Sequence, residues 1–85
     1  TEELKFKSPD DIKFKVIEQI EEYAKEKNYK YLNIDGVKVL FDDGWALVRA
    51  SNTGPNVTAR FEARTEERLE EIQNEFISLV EKLNN

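Results

Sequence analysis

Eighty-five residues make one domain and leave no room for a second. A formal net charge of −5 disfavours a general nucleic-acid binder, while 39% hydrophobic residues, with one Trp, three Tyr and five Phe, argue against disorder. The absence of His and Cys removes the commonest acid/base group, the commonest thiol nucleophile, any disulfide framework and any thiolate metal site, which points to a binding domain or a piece of an enzyme.

Leu4-Lys5-Phe6-Lys7 alternates apolar and basic residues and predicts a short edge strand. Ser8-Pro9-Asp10-Asp11 then opens a helix: Ser8 is the expected cap, Pro9 has the pre-set φ of a first helical residue, and the aspartates suit the positive end of the dipole. Ile12, Val16, Ile20 and Tyr23 or Ala24 recur at helical spacing, with Ile17 widening the stripe and Lys25, Lys27 and Asn28 at the end. Glu18, Glu21, Glu22 and Lys25 form the solvated face. From Tyr31 the period drops to two, with Leu32 and Ile34 alternating with polar positions up to an Asp35-Gly36 turn. Val37, Val39 and Phe41 follow, then a turn at Asp42-Asp43-Gly44, a strand from Trp45 to Ala50, and another from Val57 to Ala63. Trp45, Phe41 and Phe61 are expected in the core. Thr65 caps a last helix whose apolar face is Leu69, Ile72, Phe76, Leu79, Val80 and Leu83. The order β-α-β-β-β-β-α predicts an α+β fold, an antiparallel sheet with both helices on one face.

The charge is unevenly spread. Residues 45–64 carry Arg49, Arg60 and Arg64 against Glu62 alone and form the one net-positive stretch. Arginine's planar fork suits phosphate or carboxylate. Arg49 falls at a strand end, where a guanidinium can be aimed. Ser51, Asn52 and Thr53 follow with short side-chain donors and backbone amides expected to be free in a turn, a combination able to form an anion-binding concavity. Gly54 is expected to permit an unusual φ, Pro55 to fix the exit, and Arg60 on the next strand to add positive potential. On composition alone an ordinary hairpin loop is the better account of these turn residues; the arginines bring an anion site level with it.

Arg49-Ala50-Ser51-Asn52-Thr53-Gly54-Pro55, followed by Arg60-Phe61-Glu62-Ala63 and Thr65-Glu66-Glu67-Arg68-Leu69, resembles the C-terminal (fourth) domain of the α-D-phosphohexomutases, in the phosphomannomutase/phosphoglucomutase branch. Asp35-Gly36-Val37-Lys38-Val39 and Asp43-Gly44-Trp45 match the family's usual lead-in. The resemblance implies a TATA-binding-protein-like β-α-β4-α arrangement and a lid that closes on a phosphosugar. It assigns the substrate phosphate to Arg49, Ser51, Asn52 and Thr53 and places no catalytic or metal-binding residue in this chain; Gly54 and Arg60 remain further candidates from the residues themselves. Gly54 stands where relatives often carry Glu or Thr, and Asn56 and Thr58 are more polar than usual in the following strand. The Ala-Ser-Asn form favours a mannose/glucose-type mutase over a glucosamine-type one.

The expectation is therefore the phosphate-binding lid of a phosphohexomutase that interconverts hexose 1- and 6-phosphates. The chain itself would bind without catalysing, with glucose or mannose phosphate and the other domains of the same chain as partners. Magnesium and a bisphosphorylated hexose activator are expected of the parent enzyme and no cofactor of this part. The missing Met at position 1 suggests a chain processed or cut from something longer. No apolar run approaches the roughly 20 residues of a membrane span, and the start has no signal-peptide character, so neither membrane nor nucleic acid is expected as a partner and the compartment is expected to be the cytoplasm. The alternative is a free-standing adaptor of the same shape that binds a protein or nucleic acid.

Overall fold

The computed structural model describes residues 3–51 and 54–84. In chain order the elements are β1 (Leu4–Lys7), α1 (Asp10–Glu26), β2 (Lys30–Leu32), β3 (Val37–Phe41), β4 (Gly44–Ala50), β5 (Asn56–Ala63) and α2 (Glu66–Leu83). The strands form one antiparallel sheet in the order β1-β5-β4-β3-β2, so the first strand returns to an edge beside the last. This is the expected α+β architecture. Alternation along the strands sends Val37, Val39, Ala46, Val48, Val57, Ala59 and Phe61 to one face, each at most 1% exposed. Val16, Ile20 and Ala24 of α1 and Ile72, Phe76 and Val80 of α2 close over that face and are equally buried. Two-residue and 3.6-residue periods thus meet in a single core, and the opposite sheet face stays open to solvent.

The termini of the helices differ from each other. Thr65 caps α2 as its sequence predicts, its Oγ1 accepting the Arg68 N–H at 3.1 Å. Ser8 does not cap α1. Pro9 is the cap residue, without a side-chain cap bond, and the buried Ser8 hydroxyl donates instead to Asn84 Oδ1 at the far end of α2, 2.8 Å away. A long-range partner wins because α2 ends directly over the start of α1. The other end of α1 is closed by Asn28 at φ 60, with the Tyr29 N–H reaching back to the Ala24 carbonyl.

Two further expectations fail for one reason, the pleat. β2 is only three residues long, and Tyr31 turns inward while Leu32 and Ile34 are 49% and 78% exposed. Trp45 lies on the open face, opposite Leu40, rather than in the core. Its ring sits under Lys38 Nζ at 4.5 Å and its indole N–H donates to Glu62 at 3.2 Å. Gly44 and Ala46, not Trp45, are in phase with the core face. Phe41 and Phe61 do face inward.

At the end of the sheet where β3 turns into β4, aromatic rings from Tyr23, Tyr29, Phe41 and Phe76 meet edge-on or tilted, with centroids 5.0–6.3 Å apart. Both tyrosine hydroxyls donate to Glu75 Oε2, at 2.7 and 2.8 Å. Arg68 covers this cluster: its guanidinium lies 5.0 Å from the Phe41 ring centre and donates through Nε to Asp43 at 3.0 Å.

Candidate anion site at the end of the sheet

The opposite end of the sheet carries the loop between β4 and β5 and the turn between β2 and β3. Arg49 is the penultimate residue of β4, paired across the ladder with Thr58, and points from the open face. The turn at Asp35-Gly36 is wedged against it. Asp35 has φ 56 and Gly36 φ 120, and a Cβ on Gly36 would fall 2.5 Å from the Arg49 Cβ and 2.7 Å from the Val48 carbonyl. Only glycine fits that approach. The wedge brings the Asp35 carboxylate to 3.2 Å from the Arg49 guanidinium, while Glu3 stands 3.8 Å away on its other side. Arg49 remains 44% exposed.

Beside this guanidinium is a cavity of about 270 Å³, lined by Arg49, Lys5, Ser51 and Thr58 together with Glu3 and Asp35. Two bases face two acids, so the cavity is balanced rather than strongly positive. A larger groove of about 420 Å³ at the other end of the sheet is lined by Asp42, Asp43 and Glu62 against Arg64, the wrong sign for a phosphate.

The expected site residues fall out as follows. Arg49 and Ser51 share the cavity. Asn52 and Thr53 lie outside the described residues. The Ser51 backbone N–H is not free, as a turn suggested: it donates to the Asn56 carbonyl at 2.8 Å and closes the ends of the loop. Gly54 does not take the unusual φ expected of it. Among the described residues Gly36 is the glycine with positive φ, and a Cβ on Gly54 would meet only the Asn56 side-chain amide, at 3.1 Å. Arg60 shares the open face with Arg49 but is paired with Leu47, two residues along the ladder, and does not line the cavity. Arg64 lies beyond Ala63, which pairs with Gly44, at the other end; at strand rise this is about 20 Å from Arg49. The positive stretch in the sequence is therefore dispersed along the sheet.

Two cations near the site were not apparent from the sequence. Lys5 reaches it because β1 pairs with β5 and sets Lys5 opposite Thr58. Lys13 lies beneath the loop, 6% exposed, with its ammonium on the Ser51 and Gly54 carbonyls at 2.8 and 3.0 Å. A signal for Lys13 was present: positions 13, 16, 20 and 24 are the buried stripe of α1, and a lysine on such a stripe calls for a partner. Among the described residues no group of three or more His, Cys, Asp or Glu is placed to hold a metal ion. Nor is any helix among them long and apolar enough to cross a membrane.

Against known proteins, residues 3–79 match the family described as phosphoglucomutase/phosphomannomutase, C-terminal domain. A phosphomannomutase/phosphoglucomutase of Pseudomonas syringae pv. tomato is 45% identical over 83 residues, which is 98% of this chain and 18% of that protein. A probable phosphoglucosamine mutase of Methanopyrus kandleri is 39% identical over 74 residues, 87% of this chain and 16% of that protein. Among solved structures, a phosphoglucomutase/phosphomannomutase family protein from Burkholderia thailandensis superposes with a TM-score of 0.76 at 33% identity, covering 98% of this chain and 17% of its own. The chain thus spans less than a fifth of the length of these relatives.

Proposed function

The chain belongs to the phosphoglucomutase/phosphomannomutase family, matching its C-terminal domain, and from that premise we propose that it is the substrate-phosphate-binding lid of a phosphohexomutase that interconverts hexose 1- and 6-phosphates. The observation that carries this reading is the cavity at the loop end of the sheet, where Arg49 is both anchored by its strand and still open to solvent. Exposed ion pairs such as Arg49 with Asp35 and Glu3 are worth roughly 0–1 kcal/mol, so a phosphate dianion competes for the guanidinium at little cost. Asp35 and Glu3 hold the fork in place until then. In this reading Arg49 supplies charge and a bidentate donor, Ser51, Asn52 and Thr53 orient the phosphate, and Arg60 adds potential from further along the open face. Gly54 contributes only main chain.

We place the phosphoryl-transfer chemistry, with its magnesium and bisphosphorylated hexose, in parts of the parent protein outside this chain, and the parent in the cytoplasm. Closure of the lid would exclude water and fix the sugar phosphate for transfer. A mannose/glucose-type substrate is favoured by the Ala50-Ser51-Asn52 form of the loop. The adaptor alternative gains nothing from the fold, since Trp45, the open-face aromatic, is stacked under Lys38 and tied to Glu62.

An amide-shift titration of this chain with inorganic phosphate and with glucose 1-phosphate tests the reading. Saturable shifts confined to residues 49–55, with smaller ones at Lys5 and Arg60, are expected. Shifts spread over the acidic faces of the helices, or none near Arg49, would overturn it.

A further inference from the structure

We propose that Lys13 is the positioning residue of the β4–β5 loop, a buried ammonium that holds the loop in the shape that receives a phosphate without touching the ligand; this rests on the functional reading above. A lysine ammonium has three donors and no acceptor. Here all three find oxygen: Asp10 Oδ1 at 3.0 Å, the Ser51 carbonyl at 2.8 Å and the Gly54 carbonyl at 3.0 Å. The two carbonyls flank residues 52 and 53, so one side chain ties both ends of the segment expected to bind the phosphate.

Burying an ammonium costs several kcal/mol unless its partners are fixed in place. Lys13 is 6% exposed, so release of either carbonyl would leave it desolvated and short of a partner. The loop conformation and the buried charge therefore stabilise each other. Further bonds complete the hold. Ser51 and Asn56 bond through main chain, the Asn56 N–H donates to the Gly54 carbonyl at 2.9 Å, and the Ser8 N–H donates to the Pro55 carbonyl at 2.7 Å. These are all main-chain bonds, whereas Lys13 reaches the loop with a side chain from a different element, α1.

The chemical consequence is twofold. Carbonyl oxygens repel a phosphate, and those of Ser51 and Gly54 are engaged by a cation on the helix side of the loop rather than left to face an incoming anion. Loop ends fixed in advance at Ser51 and Gly54 also lower the entropy lost on binding, which otherwise subtracts from affinity.

The test uses the full-length protein that carries this chain, with Lys13→Met, which keeps the length of the side chain and removes charge and donors. Hydrogen exchange by mass spectrometry is read in the ligand-free protein, and the dissociation constant for glucose 1-phosphate by calorimetry. Faster exchange confined to the peptide covering residues 50–57, with a dissociation constant raised roughly tenfold or more, is expected, because preorganisation is lost while Arg49 is kept. A folded variant with unchanged exchange in that peptide, or with loosened exchange but wild-type affinity, would overturn the proposal. A merely structural lysine would raise exchange throughout the sheet and leave affinity unchanged in the folded fraction. If Lys13→Met does not fold, Lys13→Gln, which keeps one shorter donor, is measured in the same two ways, and the same outcomes support or overturn the proposal. A wild-type protein that does not bind glucose 1-phosphate would refute the functional reading instead, while the exchange measurement alone would still decide whether Lys13 holds the loop.

Discussion

The two ends of the sheet each carry an arginine set between carboxylates, and they use it differently. At the hairpin end Arg68 lies over the Phe41 ring, bonds Asp43 through Nε at 3.0 Å and approaches Glu71 at 3.7 Å, with 30% of its side chain exposed. The hydrogen bond to Asp43 raises its proton affinity, and its position over the ring commits it to the fold. At the loop end Arg49 has longer contacts to Asp35 and Glu3, no aromatic floor among the described contacts, and a cavity beside it. A cation–π contact and a short directed bond make an arginine structural; loose, solvated ion pairs leave it exchangeable. The same residue type thus packs into the fold at one end and stays open to solvent at the other.

Exchanging each arginine for alanine is the sharpest way to break that contrast. Arg49→Ala should weaken binding of glucose 1-phosphate by about 10- to 100-fold, the worth of a charge-assisted hydrogen bond, while the unfolding midpoint stays within error. Arg68→Ala should do the reverse, lowering stability by about 1–2 kcal/mol with affinity unchanged. Both are read by denaturant unfolding beside calorimetry. Equal effects of the two variants on both readouts would erase the distinction.

Gly36→Ala couples the two properties at the loop end. An added Cβ at φ +120 collides with Arg49 Cβ and the Val48 carbonyl, so a stability loss of about 1–3 kcal/mol should accompany a displaced guanidinium and weaker phosphate binding. An alanine tolerated without change in either quantity would mean that the turn does not set the position of Arg49.

The smallest effect at ordinary pH belongs to the hairpin end. Burial first, and then the hydrogen bond and charge of Glu75, hold the Tyr23 and Tyr29 hydroxyls above their usual 10.0. Both stay protonated in the folded state, whereas an unfolded chain releases these protons near pH 10. Their contribution is therefore complete below that pH and is lost as pH rises past it. Denaturant midpoints should be flat from pH 8 to 9 and fall above about pH 10, in step with the tyrosinate absorbance of the unfolded chain. Free titration of all three tyrosines near pH 10 without loss of fold would contradict the shared carboxylate.

Much of this molecule is legible from local pattern. The period-two run from Val37 to Phe41, the stripe Ile72, Phe76, Val80 and the cap Thr65 are properties of neighbouring residues, and the fold keeps all of them. Arg49 and Ser51, neighbours in the sequence motif, line one cavity. Local pattern misleads where a residue's partner is distant in sequence. Ser8 lies 76 positions from the Asn84 side chain that accepts its proton. Leu32 and Ile34 look inward by alternation, yet the register with β3 turns Tyr31 in and leaves them exposed.

Chain order, the type of each element and the Arg49–Pro55 motif were determined by the sequence itself, because helical and strand periods, caps and turn residues act over a few positions. Only the tertiary structure decided which charges gather at that loop. Antiparallel pairing carries Arg60 and Arg64 away along β5, while the return of β1 to the sheet edge brings in Lys5. The packing of α1 across the sheet seats Lys13 under Ser51 and Gly54. Electrostatic neighbours are set by distance in space, and in an antiparallel sheet that distance grows or shrinks with register rather than with position along the chain.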